Sequence, residues 1–159
     1  VLVIHSQQVR DKAIEVAKQH PELNIDTEFV GEACLLHDIG IFLCHAPRIY
    51  CFGEHEYIEH GYLGSDLLKK EGLPQHALVA ERHTGTGFTK EEIRLKKLPL
   101  PDRDMLPLSL EEQLICYADK FYSKSKLNLQ LSVEEIRQNL SFYGKEKVEK
   151  FDSWHQLFG

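Results

Sequence analysis

Apolar residues in this chain recur every three or four positions and almost never every second one, and that period points to helices. From Ser6 to Gln19, Val9, Ala13, Val16 and Ala17 repeat at helical spacing, and the segment stops at "HPELN" with Pro21. "DTEFVGEACLLHD" opens on Asp26 or Thr27 as an N-cap and aligns Phe29, Val30, Ala33, Cys34 and His37 on one face. "IEHGYLGSDLLKKEGL" reads as a helix with a stop at Gly72, and "PQHALVAERHTG" as one with Pro74 in its first turn. Thr89 with Glu92 and Ser109 with Glu112 have capping-box spacing. They start a short polar helix over "TKEEIRLKK" and a longer helix over "SLEEQLICYADKFYSKS". "SVEEIRQNLSFYG" and "KEKVEKFDSWHQLF" supply two closing helices. "GIFLCHAPRIYCFGEHEY" has no clear period and reads as a loop able to lie over a site, and "LPLPDRDMLP" is a Pro-rich connector. The expected fold is all-α, a compact single-domain bundle of six to eight helices spanning residues 1–159.

A chain of 159 residues can bury a core without disulfide staples. Its net charge of −6 argues against broad binding to long nucleic acids or anionic membranes, although a local basic pocket stays compatible with it. No apolar run approaches the roughly 20 residues of a membrane span, and no secretory signal is visible, although the sequence begins at Val1 rather than Met. Cys34, Cys44, Cys51 and Cys116 form no CxxC pair. Cys44 and Cys51 could form a disulfide or bind zinc, but the expectation is reduced thiols in a cytoplasmic protein.

What stands out is the placement of histidine and aspartate. His5 precedes Val9 by four residues, His83 follows Val79 by four, and Asp119 follows Ile115 by four, so each falls on an apolar face. His37 follows Cys34 by three and adjoins Asp38, where the second helix ends. His60 lies beside Gly61 and Gly64, which allow another helix to come close. A single inward histidine is usually a hydrogen-bonded core residue. Several with two inward carboxylates call for a cation, because a buried carboxylate must be neutralised or paired.

His5, His37-Asp38 within "HDIG", His60, His83 and Asp119 resemble the ordered H…HD…H…H…D pattern of HD-domain metal-dependent phosphohydrolases, closest to small stand-alone HDIG proteins. The likeness runs from about His5 to Lys124. It implies a helical core in which these six residues hold one or two divalent ions (Fe, Mn, Zn, Co or Ni, with Mg admitted) and activate water against a phosphate ester or anhydride. A mononuclear site of His5, His37, Asp38 and Asp119 stays open. The resemblance gives catalytic roles to His37, Asp38 and Lys120.

Substrate contacts are expected from Arg48, Arg82, Thr84 and Lys120, with Lys120 serving either a phosphate or a helix salt bridge. Lys124 reads as a solvated surface charge. The implied partner is a small phosphorylated substrate, a nucleotide by preference, and a homodimer is compatible with the pattern. Segments around His60 and His83 also resemble HD-superfamily diadenosine-tetraphosphate hydrolases. Two other readings use the same scaffold: a diiron oxygenase and a non-catalytic regulatory HD module.

Overall fold

Capping residues set many of the element boundaries in the computed structural model, which describes every residue from Val1 to Gly159. Helix α1 runs Leu2–Gln19, and α2, Thr27–Leu36, starts where the Asp26 side chain accepts a hydrogen bond from the Phe29 N–H. Helix α3 is His60–Lys70, followed by α4, Pro74–Arg82, with its proline in the first turn. Thr89 caps α5, Lys90–Lys96. Full capping boxes at Ser109 and Ser132 open α6, Leu110–Asp119, and α7, Val133–Ser141; α8, Lys145–Phe158, closes the chain. The result is an all-α bundle of eight helices.

One large apolar core joins α1, α2, α6, α7 and α8. Val9, Ala13 and Val16 of α1 and Leu114, Ile115 and Tyr117 of α6 pack in the same core as Phe151, Trp154 and Phe158 of α8. A second cluster, Leu68, Ala77 and Ala80, sits between α3 and α4. Glycine lets the backbone come close there: a Cβ on Gly40 would stand 2.2 Å from the His60 carbonyl oxygen and 2.6 Å from the Gly64 nitrogen.

The structure corrects the expected elements in three places. Helix α1 begins at Leu2, four residues ahead of Ser6, so His5 lies inside it. The segment read as a loop over 40–57 contains 3-10 turns and a small hairpin, β1 (His45–Ala46) with β2 (Cys51–Phe52). The helix expected to continue through "DKFYSKS" stops at Asp119, and the chain turns into a hairpin, β3 (Tyr122–Ser123) with β4 (Lys126–Gln130). Leu127, Leu129 and Leu131 alternate with polar residues there, a period-two signal too short to stand out beside the helices.

Candidate metal centre

Five elements of the helical frame converge at one end of the large core. His5 projects from α1, and His37 and Asp38 follow α2. His60 opens α3, His83 follows α4, and Asp119 ends α6. All four histidines and Asp38 are buried.

The ligand-type atoms form two groups that share Asp38. In the first, His5 Nε2 stands 2.9 Å from Asp119 Oδ1 and 3.4 Å from Asp38 Oδ2. His37 Nε2 stands 3.1 Å from the same Asp38 oxygen and 3.3 Å from Asp119 Oδ1. In the second, the other Asp38 oxygen, Oδ1, faces His83 Nε2 at 3.1 Å and His60 Nε2 at 3.3 Å, and those two nitrogens are 3.0 Å apart.

The backbone fixes the tautomers. His37, His60 and His83 each direct Nδ1 at the carbonyl three residues earlier, on Cys34 (2.6 Å), Tyr57 (2.6 Å) and Ala80 (2.7 Å). A carbonyl only accepts, so in each ring Nδ1 carries the proton, and in the neutral imidazole Nε2 keeps its lone pair. Neutral His60 and His83 therefore aim two lone pairs at one another, a contact that becomes favourable with a cation between them. At metal–ligand bonds of about 2.1 Å, neighbouring ligand atoms lie roughly 3.0–3.4 Å apart. The observed separations of 2.9–3.4 Å match that spacing in both groups. The residues fit one ion in each group, with Asp38 reaching both.

Electrostatics agrees with an acidic, cation-seeking site. Burial alone would raise the Asp38 pKa, but the charges of His37 and Lys124 hold it well below the ordinary carboxylate value. Asp119 is likewise held well below against its burial, with Lys120 the largest opposing influence. Burial disfavours the His37 cation, yet Asp38 and Asp119 together push its pKa up to about 10. For His83, burial wins and lowers it to about 4, so this ring is neutral near pH 7.

The remaining sequence-derived candidates divide. Lys120 Nζ donates to the His83 carbonyl at 3.1 Å and to Asp119 Oδ2 at 3.0 Å, and it lines a cavity of about 600 Å³ beside the cluster. Arg48 lines the same cavity. Thr84 lines a neighbouring cavity of about 510 Å³, and its Oγ1 is buried without a hydrogen-bond partner. Arg82 is turned away: its guanidinium donates to Glu112 at 3.0 and 3.3 Å, which leaves it outside the lining of both cavities. Neighbours in a helix diverge by about 100°, so an inward His83 sends Arg82 elsewhere. Lys124 is the group that sequence reasoning missed. It is not a solvated surface charge; the β3–β4 turn carries its Nζ to within 3.0 Å of Asp38 Oδ2, with the side chain only 15% exposed. Its spacing of four from Lys120 suggested one more helical turn, and the signal for the hairpin was the Leu alternation that follows.

A helical bundle that gathers four imidazoles and two carboxylates around a shared Asp has the architecture of a metal-dependent hydrolase of the phosphohydrolase type. The HD domain profile matches residues 2–124, and the chain belongs to that family. It is 37% identical over 128 residues to an uncharacterised protein of Methanocaldococcus jannaschii, covering 79% of this chain and 68% of that one. It is 31% identical over 151 residues to a tRNA (cytidine(56)-2'-O)-methyltransferase of Thermoplasma volcanium, covering 94% of this chain and 40% of the relative. The enzyme of the same name from Picrophilus torridus is 30% identical over 128 residues, covering 80% of this chain and 33% of its own. The chain thus spans less than half of either methyltransferase. No solved structure matches it.

Proposed function

We propose that this chain hydrolyses a phosphate ester or anhydride of a nucleotide or similar small phosphorylated metabolite. The single observation that carries the reading is Asp38, whose two oxygens serve separate ligand groups beside a cavity lined by Arg48, Lys120 and Lys124. Bound divalent ions at such a site activate water and withdraw charge from phosphoryl oxygens. His5, His37, Asp38 and Asp119 would hold one ion, and Asp38, His60 and His83 the other. Imidazole and carboxylate without thiolate suit Fe, Mn, Zn, Co or Ni, with Mg admitted. Lys120, anchored by Asp119 and the His83 carbonyl, keeps its charge despite burial and presents it at the cavity wall.

The nucleotide preference is supported by the second cavity. At about 510 Å³ it is large enough for a nucleoside, and Phe88, Leu98, Leu140 and Tyr143 give it apolar walls. Tyr57 lines both cavities, so a phosphate at the ligand cluster and a ring in this space are compatible with one molecule. Three basic groups at the cluster favour phosphate over the uncharged polyol that a diiron oxygenase would take.

No helix of the structure is long and apolar enough to cross a membrane. A cytoplasmic location is part of the proposal, supported by four cysteines that are all unpaired. Methylation, which belongs to the longer relatives, is not attributed to this chain. The test is a hydrolysis panel with protein loaded separately with Mn, Fe, Co and Zn. It should cover nucleoside triphosphates, cyclic nucleotides, dinucleoside polyphosphates and a simple phosphomonoester. Metal-dependent hydrolysis is expected, read by chromatography as loss of substrate and appearance of the nucleotide, nucleoside, phosphate or pyrophosphate products, with dinucleoside polyphosphates the first to try. No cleavage of any substrate with any metal withdraws the proposal.

A further inference from the structure

Lys124 differs from the other basic groups of the cavity in what it touches. Lys120 is tied to Asp119 and a backbone carbonyl, whereas the Lys124 ammonium lies 3.0 Å from Asp38 Oδ2. That oxygen belongs to the first ligand group, facing His5 and His37, and has no conventional hydrogen-bond partner. An ammonium there and a metal ion would need the same lone pairs. The ammonium is the weaker occupant, because it brings one charge where a divalent ion brings two and would also take the Nε2 atoms of His5 and His37 that face the same oxygen. Lys124 rides on the Ser123–Ser125 turn, which lines the cavity next to Lys120 and Arg48. Its flexible four-carbon stem lets the charge move between the carboxylate and the cavity without displacing the turn.

We infer that Lys124 is a resident counter-ion of Asp38 that a divalent ion displaces, and that the displaced ammonium then takes oxygens of the bound phosphoryl group. The second half rests on the phosphohydrolase reading. One side chain then links the two binding events: the metal frees the ammonium for phosphate, and phosphate keeps the ammonium from competing for Asp38. Such coupling is reciprocal.

The test is calorimetric titration of chelator-treated protein with Mn²⁺, with and without inorganic phosphate, for the wild type, Lys124→Met and Lys124→Gln. Circular dichroism and thermal melts check the fold of each. In the absence of phosphate both variants are expected to bind Mn²⁺ about 10-fold more tightly than the wild type. Phosphate should tighten Mn²⁺ binding in the wild type and have little effect in either variant. Equal Mn²⁺ affinity in all three proteins, or a phosphate effect that survives both substitutions, overturns the inference. No Mn²⁺ binding to the wild type overturns the metal centre itself. Coupling as expected in a protein that hydrolyses nothing in the panel supports Lys124 as counter-ion and overturns the phosphohydrolase reading alone.

Discussion

The two groups of ligands meet at one aspartate but are supported in different ways. His5 and Asp119 stand on α1 and α6, the two helices that also form the middle of the large core, so aromatic and aliphatic packing positions them from behind. His60 and His83 sit at the first residue of α3 and just past the end of α4, against a cluster of only three buried apolar residues. What replaces bulk there is close backbone approach: Gly40 against His60 and Gly64, and Gly61 against the Ala80 carbonyl. One group depends on volume filled, the other on volume left out. Substitutions should therefore separate them.

The largest effect is expected from Trp154→Ala, which empties the large core at a fully buried position and should cost about 3–5 kcal/mol in denaturant unfolding. If the division holds, the folded fraction still carries two ions per chain. Asp38→Ala removes the one residue common to both groups. Elemental analysis should find neither site filled, and calorimetry a loss of more than about 100-fold, beyond what an outer-shell partner contributes. His60→Ala makes the contrast, because it should leave the first group loaded and a stoichiometry near one. Gly40→Ala tests the other support. Its Cβ would meet backbone atoms, so a destabilisation of about 1–3 kcal/mol is expected together with preferential loss of the second ion. Retention of both ions with wild-type melting would erase the distinction.

The smallest effect is one of pH on chelated protein. His37, in the first group, titrates near 10 when folded and near 6.5 when unfolded, so its contribution is fully present below 6.5 and is lost as pH rises toward 10. His83, in the second group, is lowered to about 4, so the unfolded chain binds more protons between 4 and 6.5 and stability falls as pH drops through that window. Asp38 and Asp119, both held low, add a loss at still more acid pH. Urea melts from pH 4 to 10 should thus show an optimum near 6.5. A curve that rises or falls throughout contradicts this assignment of charges.

Much of this could be read in the sequence, for a physical reason. A helix sends residues four apart to the same side, so spacing from Val9, Val79 and Ile115 was enough to turn His5, His83 and Asp119 inward. Asp26, Thr89 and Ser109 announced their helices because capping is local chemistry. Harder to read were contacts made by turns. Where α6 stops decides whether Lys124 meets water or Asp38, and nothing within four residues of Lys120 encodes that stop. Arg82 was misjudged for a related reason. Its partner, Glu112, is 30 residues away, and the pairing exists only once α4 lies against α6.

Three of the four imidazoles are aligned by their own chain, through the carbonyl one helical turn back, while His5 Nδ1 is buried with no acceptor. Ring orientation at those three positions is thus set by the local backbone rather than by a neighbouring side chain. His5 has no such insurance. Its only polar partners are the carboxylates in front of it, which makes it the position where rearranging the pocket for a new substrate would first be felt.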